Sequence, residues 1–432
     1  MKHKLLKILG MLFSLLPLGA ASAKEETAPV VTIACDSLGH KKKQCVASVQ
    51  AWEKATGHKA NIVEAPTGSS NRLAWVQQQF ASGSPDIDVF QLDTAWGGML
   101  ENHLIDLTPY ISKEDQANYY PSLIQNNTVH GKLVAMPWYV DIGLLFYRKD
   151  LLEKYGHSVP KTWDELEKVA QDIQDKERAS GNDKIWGFVF SGKAFEGLTC
   201  NVSEWVSSYQ GGGIIDAQGK VIINNASAAK ILNKVASWVG KIVPQGALNY
   251  AEEDSRGVFQ SGNAVFIRHW PYVITLAQSE ESPIANKVEI APLPKGDEDG
   301  TSSGTLGGWQ LGVSKYSKHP ELAADLVKFL TSKQELKDRA IRGGYYPPRM
   351  DLYQDPDIKN ALPYADLIFK ALATAVARPS SQTGLKYNQV SSAVWNTAHK
   401  ILLKKEPAEK ALKSLEMQLN SMSRNGTQWS KK

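Results

Sequence analysis

Short runs of this chain set carboxylates or an arginine beside aromatic rings where a strand ends or a turn begins. They are Leu92-Asp93-Thr94-Ala95-Trp96, Trp138-Tyr139-Val140-Asp141, Phe195-Glu196-Gly197, His269-Trp270-Pro271-Tyr272, Gly307-Gly308-Trp309 and Ala377-Arg378-Pro379. This combination suits a saccharide. A pyranose offers an apolar C–H face that stacks on Trp or Tyr, and a rim of hydroxyls that donate to carboxylates and accept from arginine and amides. A concave site with aromatic walls and a few fixed polar groups answers both demands.

Each residue also has a plainer use. Trp96, Trp163 and Trp205 read first as core, because rings are the largest source of buried apolar area. Trp270, Tyr272 and Trp309 stand beside Pro or Gly and read first as site residues. Asp93 can cap the following helix, and Arg378 can pair with a surface acid. A secreted glycosidase likewise uses two carboxylates among aromatic platforms, and their separation is not legible in sequence. Release of monosaccharide, lost on changing Asp93 or Glu196, is what distinguishes cleavage from binding.

The elements that carry these runs alternate short β-rich stretches with amphipathic helices, the pattern of α/β layers with mostly parallel strands. Val30 to Ala34 reads as a strand, followed by a helix through Val46, Val49, Trp52 and Ala55 that stops at Gly57. A strand at Ala60 to Glu64, a helix at Arg72 to Phe80 and a strand at Ile87 to Leu92 complete a β-α-β-α-β opening, whose ligands gather at the carboxyl ends of the strands. Thr162-Trp163-Asp164-Glu165 is a capping box. Glycines 211 to 213 read as a turn after the helix bearing Trp205, since no P-loop Lys-Ser/Thr follows. Helices are expected at Ser227 to Ile242, Pro320 to Leu330 and Ala408 to Met422, with a frayed polar tail from Asn425 to Lys432.

The 432 residues carry 49 Lys+Arg against 45 Asp+Glu, with 42% hydrophobic and 22% charged residues. These values fit two or three globular domains and exclude wholesale disorder or a polytopic membrane chain; no basic cluster marks a nucleic-acid surface. Lys2, His3, Lys4 and Lys7 precede an apolar run from Ile8 to Leu18 and the small residues Ala21-Ser22-Ala23, so residues 1–23 read as a signal peptide too short to span a bilayer. Its removal takes three lysines and leaves 46 basic against 45 acidic side chains. No cysteine follows the cleavage site, so no lipid anchor is expected. Cys35 and Cys45 stand ten positions apart, near enough for a disulfide that geometry must decide, with Cys200 left over. No spacing of metal ligands is present, and no metal or cofactor is expected.

Taken in order, the runs resemble the extracellular solute-binding proteins of ABC sugar importers, specifically their trehalose/maltose-binding branch. The resemblance rests on Asp88 to Asp93, Met136 to Arg148, Pro160 to Leu166, Phe195-Glu196-Gly197-Leu198 with Asn201 and Glu204-Trp205, and Gly262 to Phe266 leading into Trp270-Pro271-Tyr272. It implies an α/β fold of the two-lobed periplasmic-binding-protein type, like maltose-binding protein, with two α/β lobes joined by a hinge that the chain crosses near residues 139–144, 303–311 and 345–352. The implied lobes are 24–140 with 308–347, and 141–307 with 348–432. Sugar would lie between them, reached by Asp93 with Ser69, Ser70 and Asn71 from one side and by Tyr139, Asp141, Glu196, Trp270 and Tyr272 from the other. Gly308 and Trp309 would lie beside a hinge segment, and Arg378 matches the branch's late sugar-bonding arginine. The implied activity is capture of an α-linked glucose disaccharide in the periplasm by a monomer that performs no covalent chemistry. It would pass the sugar to membrane permease subunits driven by a cytoplasmic ATPase.

One stretch departs from that pattern. Where the branch often has glycines and a sugar-contacting acid, this chain reads Cys35-Asp36-Ser37-Leu38-Gly39-His40 and then Lys41-Lys42-Lys43. The triplet reads as a solvated helix start. It also keeps open a glycerol-3-phosphate or phosphodiester ligand, although Asp93, Asp141 and Glu196 against Arg378 favour a neutral one.

Overall fold

A computed structural model describes residues 28–37, 39–209, 212–424 and 429. The expected signal peptide, Leu38 and Gly211 lie outside them. Strands β1 (Val30–Asp36), β2 (Lys59–Ala65), β3 (Val89–Asp93), β4 (Met136–Ile142) and β9 (Leu306–Val313) form one sheet in the order β2-β1-β3-β9-β4. Strands β5 (Leu144–Arg148), β6 (Trp186–Val189), β7 (Ala264–His269) and β8 (Val288–Ala291) form a second, in the order β8-β5-β7-β6. The sheets share no strand, and each centres a lobe.

The β-α-β-α-β opening is present, with helices α1 (Gly39–Thr56) and α2 (Ser69–Ala81) between β1, β2 and β3 and both strand pairings parallel. Elsewhere only β6 with β7 keeps the expected parallel sense. β9 runs antiparallel to β3 and β4, and β5 runs antiparallel to β7 and β8. A chain that leaves one lobe and later returns enters the sheet from the opposite end, which reverses its strand.

The first crossing occupies one residue, Gly143, between β4 and β5. A β-carbon there would stand 1.9 Å from Glu204 Oε1, so only glycine passes the buried Arg268–Glu204 pair. The second runs from β8 to β9, and Gly143 N–H donates to Thr305 at 3.2 Å, tying the two together. The boundaries expected at 140 and 308 therefore fall inside β4 and β9. Residues 345–350 remain with the first lobe, because Val140 N–H donates to Tyr346, Tyr120 N–H to Pro348 and Met350 N–H to Asn118. The range 348–432 thus begins too early for the second lobe; transfer is complete by α10 (Tyr387–Leu402), which with α11 (Ala408–Ser423) packs on α4 (Glu196–Ser207) and α5 (Ala226–Trp238).

Local rules explain most element ends. Thr162 caps α3 (Trp163–Ala179) by accepting from Glu165 N–H at 3.2 Å, but the Glu165 carboxylate takes Lys161 N–H instead of the cap's own, so the box is shifted by one residue. Helix α6 (Glu252–Gln260) precedes β7, and α7 (Tyr272–Ala277) follows it. Pro320 opens α8 (Pro320–Leu330), and α9 (Lys333–Gly343) ends on left-handed Gly344. Trp163, Trp205 and Trp238 are buried in the second-lobe core. Cys35 and Cys45 are bonded, joining the end of β1 to α1. Of the tail expected to fray, only Trp429 lies among the described residues; it is buried and donates to Gly219 O at 2.6 Å. Among the described residues no helix is long and apolar enough to cross a membrane, and no cluster of three metal-ligating side chains occurs.

Candidate functional site

Between the lobes lies a cleft of about 440 Å³. Its floor is where β3, β9 and β4 lie side by side, Trp309 opposite Asp93 on one flank and Tyr139 on the other. Gly307 lets the second lobe approach, since a β-carbon there would meet the Trp270 ring at 2.8 Å, and Gly308, whose φ is +115°, lets β9 lie against β4, where a β-carbon would meet the carbonyl of Tyr139 at 2.3 Å. Trp270 directly follows β7 and Tyr272 opens α7, while Glu196 opens α4 and Ser69 opens α2, so these side chains sit at element ends that face the gap.

Charges in the cleft are mostly committed to one another. Arg378, 5% exposed, donates to Asp93 Oδ1 at 2.6 Å, to Thr94 Oγ1 at 3.1 Å and to Glu196 Oε1 at 2.8 Å, so it bridges an acid of each lobe. Glu196 accepts further from Tyr387 and from Ser391 at 2.7 Å, while Asp93 accepts from Ala95 N–H at 2.9 Å. Asp36 pairs with Arg72 at 2.6 Å, and the Arg72 guanidinium lies 4.7 Å from the Trp309 ring. Arg268, held by Glu204, lies 4.1 Å behind Trp270. Trp309 and Trp270 thus each hold an oriented cation against the ring. Lys41 stands 4.8 Å over the Tyr272 ring, linking α1 to α7 across the gap.

Asp141 is enclosed by both lobes, and that desolvation pushes its carboxyl up to about 6 despite the opposing pull of Lys41 and Arg339. Burial also raises Glu252, again against Lys41. The lining includes six carboxylates, Asp36, Asp93, Asp141, Glu196, Glu252 and Glu253, against four cations, Lys41, Arg72, Arg256 and Arg378.

The structure brings Ser69, Asp93, Asp141, Glu196, Trp270, Tyr272, Gly308, Trp309 and Arg378 to this one cavity. Three expected residues stand elsewhere. Asn71 is exposed, because Ser69 and Arg72, three apart, share the cleft-facing side of α2 and Asn71 turns away. Ser70 sits at the rim, where its hydroxyl accepts Glu196 N–H at 3.5 Å. Tyr139 shares a strand face with Asp141 but is 3% exposed, covered edge-on by Tyr345 at 4.6 Å. Lys41 is a further correction: Lys42 pairs with Glu64 and Lys43 is exposed, but Lys41 faces the cleft. Nor is Arg378 a surface ion pair. Sequence reasoning missed Asp36, Arg72, Glu252, Arg256 and Tyr345; Asp36 carried a usable signal, since it ends β1 as Asp93 ends β3.

Two α/β lobes, three linking segments and a cleft walled by rings and paired carboxylates define a ligand-capturing protein of the two-lobed binding class. Residues 42–337 match the model of the bacterial extracellular solute-binding protein family, and the chain belongs to that family. It is 45% identical over 400 residues, 92% of this chain and 95% of the other, to a probable ABC transporter-binding protein of Deinococcus radiodurans. It is 26% identical to the arabinooligosaccharide-binding protein of Bacillus subtilis over 74% of each chain. Among solved structures, maltose-bound MalE3 of T. maritima superposes with a TM-score of 0.84 at 36% identity, covering 91% of this chain and 99% of that one. The protein is an extracellular solute-binding protein whose fold is of the MalE-like type.

Proposed function

We propose that this protein captures an α-linked glucose disaccharide of the trehalose or maltose type in the periplasm and delivers it to permease subunits powered by a cytoplasmic ATPase. The observation that carries the reading is the cleft itself. Trp270, Tyr272 and Trp309 offer ring faces to C–H surfaces, and carboxylates from both lobes stand where hydroxyls can donate. Its volume falls within the roughly 300–1,000 Å³ of small-molecule sites. The maltose held by the 36% identical MalE3 supports the same ligand class.

Contact across the gap by Lys41 with Tyr272, and by Ser70 with Glu196, supports a hinge closure in which sugar favours the state where both lobes touch it. The protein acts as a monomer without covalent chemistry, after export and removal of residues 1–23 near Ala23. Excess acid in the lining disfavours an anion, whereas Lys41 in the cleft keeps glycerol phosphates as the competing ligand class. A thermal-shift screen of maltose, trehalose and glycerol phosphates tests this directly, since a ligand bound only by the native state raises the melting temperature. Stabilisation by a glycerol phosphate alone, or release of glucose from either disaccharide, would overturn the reading.

A further inference from the structure

Arg339 lies on α9 and is 2% exposed, yet its Nε and Nη1 have no hydrogen-bond partner. What surrounds it is aromatic: the guanidinium carbon stands 3.7 Å from the Trp138 ring, 4.0 Å from Tyr345 and 4.6 Å from Tyr139. The acids nearest in effect, Asp36 and Glu335, are held by Arg72 at 2.6 Å and Arg342 at 2.8 Å. An arginine stays charged under such burial, and a desolvated cation gains most from ring faces. The rings come from two different places. Trp138 and Tyr139 lie on β4 just before the first crossing, and Tyr345 follows α9 in the segment bonded to β4 through Val140 N–H and Tyr346 O at 3.0 Å. Tyr345 also lines the cleft.

We propose that Arg339 is a positioning residue of the hinge: its guanidinium clasps the Trp138–Tyr139 strand to Tyr345, so that the two segments move together and Tyr345 keeps its place in the cleft wall. Ring faces suit this task better than hydrogen bonds, whose strength falls steeply with angle. The effect on ligand rests on the disaccharide reading, but the effect on the hinge does not.

Two variants test it in the full chain: Arg339→Met keeps length and loses charge, and Arg339→Lys keeps charge and loses the planar fork. Hydrogen exchange is followed by mass spectrometry in ligand-free protein, with the urea midpoint and calorimetric titration with maltose beside it. Arg339→Met is expected to speed exchange at least tenfold in the peptide Met136–Ile142, to leave β6 and β7 unchanged, and to weaken maltose binding at least fivefold. Its urea midpoint should stay near wild type, because a buried charge with two unsatisfied nitrogens is removed along with its contacts. Arg339→Lys should fall between Met and wild type in both exchange and affinity, and it carries the test alone if the Met variant does not fold. Unchanged exchange in Met136–Ile142 overturns the proposal. So does acceleration across all strands in step with a lowered midpoint, which marks a merely structural role. A wild type that binds neither maltose nor trehalose refutes the disaccharide reading alone, since the exchange measurement needs no ligand.

Discussion

Replacing Arg378 by Met removes a side chain that satisfies an acid from each lobe. It keeps most of the stem's volume and leaves Asp93 and Glu196 without their cation. Breaking a buried ion pair from one side costs about 3–5 kcal/mol. Here the lower end applies, because Asp93 retains Ala95 N–H and Glu196 retains Tyr387 and Ser391. At roughly 2–4 °C per kcal/mol for a unit of 150–250 residues, a cost near 3 kcal/mol lowers the melting temperature by about 6–12 °C. Loss of the charged donor to sugar removes about 1.5–3 kcal/mol of affinity, close to tenfold or more. Scanning calorimetry without ligand and titration with maltose read the two effects separately. Adding Asp93→Asn to Arg378→Met should restore part of the lost stability, since the second change removes an uncompensated charge and the pair is non-additive. A melting temperature within about 2 °C of wild type, given that scale, would refute the argument that the arginine bridges both acids.

Three further outcomes are expected. Trp270→Ala should weaken disaccharide binding by roughly 1–3 kcal/mol through loss of a stacking wall, and unchanged calorimetric affinity would remove Trp270 from the site. Asp141, at about 6 against 3.8, holds a proton in the folded protein that the unfolded chain has already released; its contribution to stability is full below pH ~4 and is lost as pH rises through ~6. Asp141→Asn should therefore raise the ligand-free melting temperature at neutral pH, with the gain vanishing towards pH ~4, and a gain independent of pH would contradict the desolvation account. Alkylation of unreduced protein in denaturant should modify Cys200 alone; a Cys35→Ala/Cys45→Ala variant should lose roughly 2–4 kcal/mol, and three alkylated thiols would rule the bridge out.

Much of the fold was legible because its signals are local. The β-α-β-α-β opening follows from alternating periods of apolar residues, and the start of α8 follows from Pro320. The runs that mix rings with carboxylates also announced most of the cleft, since residues at strand ends and helix starts face a gap whatever the rest of the chain does. Reading failed where a residue's partner lies far along the chain. Tyr139 has the right strand face for the cleft but is covered by Tyr345, a contact spanning two crossings. Lys41 belongs to a charged triplet that resembles a solvated surface, and only the approach of α7 turns it toward Tyr272.

By itself, the sequence determined the α/β class, the positions of the strand ends and the inventory of rings and acids available for sugar. The tertiary structure decided which acids are free and which are held, because ion pairs such as Arg378 with Asp93 join residues hundreds of positions apart. It also decided the sense of β5 and β9, since strand direction depends on which side of the hinge the chain returns from. Backbone propensities and capping act over a few residues, whereas burial and charge pairing depend on what the fold brings near, and this site is made chiefly of the second kind.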